Sequence, residues 1–303
     1  MLTAQTLATA GGDVWANQIA TGITRGGWIF LVAAGLTLVF GVLHILNFAH
    51  GSFFMLGAYV AAEIGGALGS SMLGFLGVLL LAPLVIGAVG GVVEVGLLRR
   101  IYHRQLLYQF LLMFGIVYVV AGVVKQVWGV GNYQMSAPSE LTRPVTLLGI
   151  TLSRYNLFIL LAGVAAFVFL LVVLQRTAFG RDVRAVAQDP EMAALIGVRV
   201  GRVRTIVFVL GAWLAGVAGV VTAGFTAFGP DVGTNTIILA FVVVIVGGMG
   251  SIVGAGIASL LIGVAEAVGA LLFPDVSLAI VYIVMAAVLL IRPWGLFGRQ
   301  VHA

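Results

Sequence analysis

Apolar runs follow one another along nearly the whole chain, parted by short polar breaks, and this pattern leaves few folds open. A helix needs about 20 apolar residues to cross the hydrocarbon core of a bilayer. Runs near that length occupy residues 27–46, 53–69, 72–98, 106–126, 155–175, 205–226, 252–272 and 277–292, and a shorter one, 237–249, is brief for a full crossing. Only 8% of the residues are charged, against about 25% in a soluble domain. The chain therefore reads as a single all-α, polytopic integral membrane domain over 1–303, with about 8–10 membrane segments, some of them broken. Residues 1–20 are mildly amphipathic and are expected on the membrane surface. They lack a basic region followed by an apolar core, so no cleavable signal peptide is expected. Pro83 falls inside the third run and predicts a kink, which membrane helices tolerate.

Glycine is frequent, at 42 residues, and suits close packing of helices through small residues, as at Gly87–Gly91 and Gly250–Gly254. There is no cysteine, which excludes disulfides and thiolate metal sites. The four histidines are scattered without ligand spacing, so no metal site is expected. The net charge of +5 needs no nucleic acid to explain it, because membrane proteins concentrate Lys and Arg in cytoplasmic loops. Arg99, Arg100 and Arg104 follow the third run, Arg176 to Arg204 follow the fifth, and Arg292 and Arg299 follow the last. Placing these in the cytoplasm puts eleven of fifteen basic residues inside and makes 129–154 the largest outer loop. Pro138 and Pro144 predict irregular backbone there.

The long polar stretch is 177–204, which reads as a cytoplasmic loop of the same domain. It contains a short helix with visible ends. Asp189 is a good N-cap, Pro190 suits the first helical position, and Gly197 suits the position just past the end. A membrane protein that holds a capped, charged helix outside the bilayer presents it to a partner. A solvated loop of helix-forming residues is the plainer reading.

A faint internal repeat, at a spacing of about 200 residues, shows in two apolar segments that are interrupted in similar ways. The first breaks at Asn47, Phe48, Ala49, His50, Gly51 and Ser52, the second at Gly247, Gly248, Met249, Gly250 and Ser251. Paired interruptions in two halves of a chain point to a transport path, and two tight turns between ordinary helices are the alternative. Glu266 lies deep in an apolar run, where a carboxylate is costly. It is either a functional group or a brace that accepts a hydrogen bond from another helix. Glu94, near Arg99 and Arg100, reads as one half of an interfacial ion pair. No phosphate-binding loop is present, since the only lysine, Lys125, follows Val124 rather than Gly. No nucleophile–base arrangement or paired catalytic acids appear. These features describe a transporter or channel subunit, not an enzyme.

The segments Gly35–Leu43, Asn47–Ser52 and Met55–Tyr59 resemble the N-terminal signature of the branched-chain amino acid ABC transporter permeases of the LivH type. Arg184–Val198 resembles that family's cytoplasmic loop, and Val244–Ser251 and Arg292–Gly298 resemble its later signatures. The likeness covers roughly residues 20–298. It implies a permease subunit in a bacterial cytoplasmic (inner) membrane. Its partners would be a second related permease in a heterodimer, two ATPase subunits that hold ATP, and a soluble binding protein. No cofactor is implied in this chain. Relatives that carry urea, short amides or aromatic acids share these motifs, so the solute stays open among small polar and zwitterionic molecules.

Glu191 to Gly197 is similar to the loop that docks importer permeases on their ATPase, with Met192 in the second position and without the downstream Ile-x-Leu-Pro part. The resemblance thus assigns coupling to Arg181, Arg184, Asp189, Pro190, Glu191, Ala193, Ala194 and Gly197, with the two alanines permitting close approach. The translocation path is expected along Asn47, His50, Gly51, Ser52, Gly247, Gly248, Gly250 and Ser251. Arg143 and Arg154 on the outer loop are expected to receive the binding protein. The rival reading is an ion-gradient-driven secondary transporter with Glu266 or His50 as its proton site.

Overall fold

The structure, a computed structural model, describes residues 12–147 and 149–298. Each of the nine apolar runs becomes a helix. They are α1 (Gly12–Leu43), α2 (His50–Leu68), α3 (Met72–Gly96) and α4 (Leu106–Val127). A short turn, α5 (Ser139–Thr142), and a hairpin, β1 (Pro144–Leu147) with β2 (Ile150–Ser153), lead into α6 (Arg154–Arg176). Two polar helices follow, α7 (Ala178–Gln188) and α8 (Pro190–Leu195). The rest is α9 (Val200–Ala223), α10 (Val232–Gly247), α11 (Ile252–Leu272) and α12 (Ser277–Ile291). Among the described residues, seven helices are long and apolar enough to cross a membrane, while α10 and the apolar part of α12 are shorter.

Helix α1 is the central mast, packing on α9, α10, α11 and α6. Its middle is wholly buried, from Leu31 to Ala34. At about 1.5 Å per residue its 32 residues reach about 48 Å, more than a bilayer core. Residues 12–20 are therefore the first turns of a spanning helix and not a separate surface segment; residues 1–11 lie outside those described. The seam of α1 with α11 runs antiparallel. Gln18 donates to the Ala267 carbonyl at one end and Gly41 meets Gly250 at the other. Gly87, Gly90 and Gly91 on α3 lie against Trp213, Ala212 and Val209 of α9, the close packing expected there.

Charge separates between the two ends. Arg99 bonds to Gly201 and Thr205 at the start of α9, and the backbone at Leu296 and Phe297 bonds to Val246 and Gly247. The loops carrying Arg99 to Arg104, Arg176 to Arg204 and Arg292 thus gather at one end, here the basic end. Arg299 falls outside the described residues. The hairpin marks the opposite end. There, expected irregular backbone is ordered instead: Pro144, which needs no ladder donor on one side, opens β1, and Tyr133 pairs with Phe228 in an isolated bridge.

Two spans are broken in mid-course. After α1 ends with His44 in the left-handed region (φ 56°), residues 44–49 turn back along the mast. His50 Nε2 then lies 2.9 Å from the carbonyl of Val32, about 16 Å back from the end of α1 at ~1.5 Å per residue. Helix α2 starts there and runs to the hairpin end, where Tyr59 stacks with Trp128, Tyr133 and Phe228. From the other side, 224–231 descends after α9, and α10 starts at the same depth and runs to the basic end. The two helix starts touch: a Cβ on Gly51 would collide with the Gly233 carbonyl, and one on Gly233 with the Gly51 carbonyl. Only glycine allows this approach.

This corrects the expected pairing of breaks. The segment 247–251 lies beside Gly41, about 9 Å nearer the basic end than the Gly35 contact with His50. It is the turn between α10 and α11. The counterpart of 47–52 is 228–234, whose only sequence marks are Gly229, Pro230 and Gly233.

Candidate functional site

The polar stretch folds into a helical pair standing off the basic end. Thr177 caps α7, its hydroxyl accepting from the Gly180 N–H at 3.0 Å. One face of α7 buries Val183 and Val186 against the ends of α6, α9 and α1. The sequence reading found the second helix and missed this one, although Thr177 and the spacing of the two valines signal it. Helix α8 forms as expected. Asp189 Oδ1 accepts from the N–H groups of Glu191 and Met192, both at 2.9 Å. Pro190 holds the first position, where no N–H is needed. Gly197, at φ 91°, closes the far end. Its N–H bonds to Ala194 and the Val198 N–H to Ala193, satisfying the last carbonyls.

The exposed face is partly the expected one: Ala194 lies on it and Ala193 does not. Ala193 is 2% exposed and faces inward. Met192, Leu195 and Ile196 are 55%, 81% and 70% exposed. Three large apolar side chains are thus exposed at the tip of a six-residue helix, among charged neighbours. Arg184 is exposed as well, and its guanidinium donates to the Leu174 carbonyl at the end of α6. Arg181, Asp189 and Glu191 remain exposed around the tip.

Behind the pair lies a polar cluster at the junction of α3 and α9. Glu94 is fully buried. It accepts from the Tyr102 hydroxyl at 3.0 Å and the Thr205 hydroxyl at 2.7 Å, and Arg99 Nε stands 3.8 Å away. The Arg204 guanidinium sits 4.9 Å over the Tyr102 ring. The expected ion pair is therefore made by Arg99 within a larger network, with Arg100 outside it. Burial, and then the Glu94 carboxylate, push the Tyr102 phenol well above its usual range, so it stays a proton donor. The network ties the first turn of α9, which directly follows α8, to α3.

Glu266 is a brace. One carboxylate oxygen lies 3.2 Å from Arg25 of α1, joining α1 to α11 towards the Gln18–Ala267 end of their seam. Arg143 and Arg154 are brought together at the base of the hairpin, where the Arg154 N–H bonds to the Arg143 carbonyl, and both are exposed. Asn47, His50, Gly51 and Ser52 are buried around the start of α2. Gly247, Gly248, Gly250 and Ser251 form the α10–α11 turn, with Ser251 capping α11 through the Gly254 N–H. No group of three or more potential metal ligands occurs among the described residues.

The architecture is a polytopic helical membrane bundle with two broken spans and a capped helix with an apolar tip at its basic end. A model of the branched-chain amino acid transport system permease component family matches residues 18–291. The chain belongs to that family and is a permease subunit of the ABC-importer class. It is similar to the high-affinity branched-chain amino acid permease protein LivH of Escherichia coli K12, with 30% identity covering 93% of this chain and 95% of that one. BraD of Pseudomonas aeruginosa is also 30% identical over the same shares. A probable LivH of Methanocaldococcus jannaschii is 30% identical over 89% of this chain and 88% of that protein. No solved structure matches. The family overturns the ion-gradient alternative, and the geometry agrees: Glu266 is paired with Arg25, and His50 is bonded to a helix carbonyl.

Proposed function

We propose that this chain carries branched-chain amino acids, or closely similar small zwitterions, across a bacterial cytoplasmic membrane as one half of a permease pair. Its partners in this reading are a second related permease, two ATPase subunits and a soluble binding protein. The observation that carries the reading is the apolar tip of α8, capped at both ends and followed in the chain by α9, which the Glu94 cluster ties to α3. ATPase closure moves this tip. The buried network then passes the motion to α9, and a shift of population between inward- and outward-facing states follows. Arg143 and Arg154 receive the binding protein at the opposite end.

The test is co-purification of the ATPase subunits with the permease pair from membranes. Leu195→Asp with Ile196→Asp buries two carboxylates in the contact and is expected to remove the ATPase, while Arg181→Ala weakens its retention. Retention of the ATPase by the double variant at the wild-type level refutes docking through α8.

A further inference from the structure

The two broken spans enclose a cavity of about 220 Å³ between α2, α4 and α10. A water in the liquid takes about 30 Å³, so a solute of several non-hydrogen atoms has room. One end of the cavity is polar and formed by Gly51, Ser52, Gly233 and Thr234, the first turns of two long helices. Neither helix has a side-chain cap. The N–H groups of these four residues have no acceptor among the described residues. The Ser52 side chain is 3% exposed, lines the cavity and has no hydrogen-bond partner among them. The first N–H groups of a helix need a partner from outside it, and here neither a side chain nor another backbone group supplies one. Two helix starts facing one another also add their positive dipole ends at a single place. The other walls are apolar, including Met55, Val117 and Ile237. Beside the polar end, Asp231 is exposed and has no ion pair among the described residues.

We propose that this cavity is an intramembrane station for the transported solute. The paired starts of α2 and α10 hold its carboxylate, the apolar walls take its side chain, and Asp231 faces its ammonium group. The unpaired donors match a carboxylate, and the nearby acid excludes a bare anion, so the site is built for a zwitterion with an apolar side chain. This rests on the substrate class proposed above.

The test uses the assembled importer in proteoliposomes. The permease has no native cysteine, so Ser52→Cys and Thr234→Cys each give it one thiol. Both are labelled with a small polar methanethiosulfonate, alone or with leucine or leucinamide, which keeps the ammonium group and side chain but lacks the carboxylate. Leucine at about twice its dissociation constant is expected to slow labelling about threefold by mass action, with leucinamide slowing it far less. Adding Thr234→Asp to Ser52→Cys places a fixed carboxylate at a helix start, where it suits the fold, and is expected to abolish the protection by leucine. Thiols that are never labelled, or that leucine and leucinamide protect alike or not at all, overturn the station. Labelling does not require turnover. A wild-type complex that takes up no amino acid refutes the proposed function, whereas labelling that leucine leaves unchanged refutes the station.

Discussion

Glu94 shows what one residue contributes here and how little of that is visible in sequence. The nearby Arg99 and Arg100 made an ion pair legible. The stronger partners were not, because Thr205 is distant in sequence and Tyr102 reaches back by way of a 3-10 turn. Glu94→Ala leaves the half-buried Tyr102 hydroxyl without its acceptor, while Thr205 keeps the Gly201 carbonyl, which costs about 1 kcal/mol. Its effect is expected as a lower thermal midpoint of the purified complex, together with transport that falls more than ATP hydrolysis. A wild-type melting profile would contradict the network. Glu266 was legible as costly, but its partner was not, because Arg25 reads as an ordinary flanking charge. Arg25→Met leaves a mostly buried carboxylate unpaired, whereas Glu266→Gln keeps an amide oxygen that still accepts from the Arg25 guanidinium. The arginine variant is therefore expected to be the less stable of the two in thermal unfolding, and the opposite order would remove the brace. The facing of Ala193 was not readable either. Sequence spacing around a two-turn helix gives composition and not facing, and burial of Ala193 turned Met192, Leu195 and Ile196 outward.

Among elements, the apolar runs and the caps of α8 were readable because each depends on local chemistry: hydrophobic length in one case, Asp189, Pro190 and Gly197 in the other. The re-entrant segments were only half readable. Asn47 to Ser52 carries polar side chains inside an apolar run, but 228–234 ends an ordinary-looking loop. Its relation to α2 exists only through packing of Gly51 on Gly233. That contact makes a sharp prediction. Gly51→Ala drives a methyl into the Gly233 carbonyl and is expected to destabilise the chain by about 1–3 kcal/mol. Gly247→Ala meets the backbone of α11 instead, so it disturbs the basic-end turn and spares the Ser52 environment. Labelling of a thiol at position 52 separates the two: Gly51→Ala changes its rate and Gly247→Ala does not. Equal effects would mean that the two breaks act as one unit.

For the whole molecule, charge placed the ends correctly, since basic loops collect at one end whatever the packing between helices. The hairpin that unites Arg143 and Arg154 was not readable, because its strands are only four residues each. Reversing both charges is expected to slow binding-protein association, more strongly at low salt, because rim charges act mainly on the rate of encounter. Equal association rates across ionic strengths would exclude that role. The central claim is that this chain moves a small zwitterion only when an ATPase docked on α8 drives it. Leucine uptake into proteoliposomes holding the full importer, with ATP inside and binding protein outside, tests it most directly. The account predicts uptake that needs both, persists when the proton gradient is collapsed, and is lost with Leu195→Asp and Ile196→Asp. Uptake by this chain alone, driven by a pH gradient and indifferent to ATP, would contradict it.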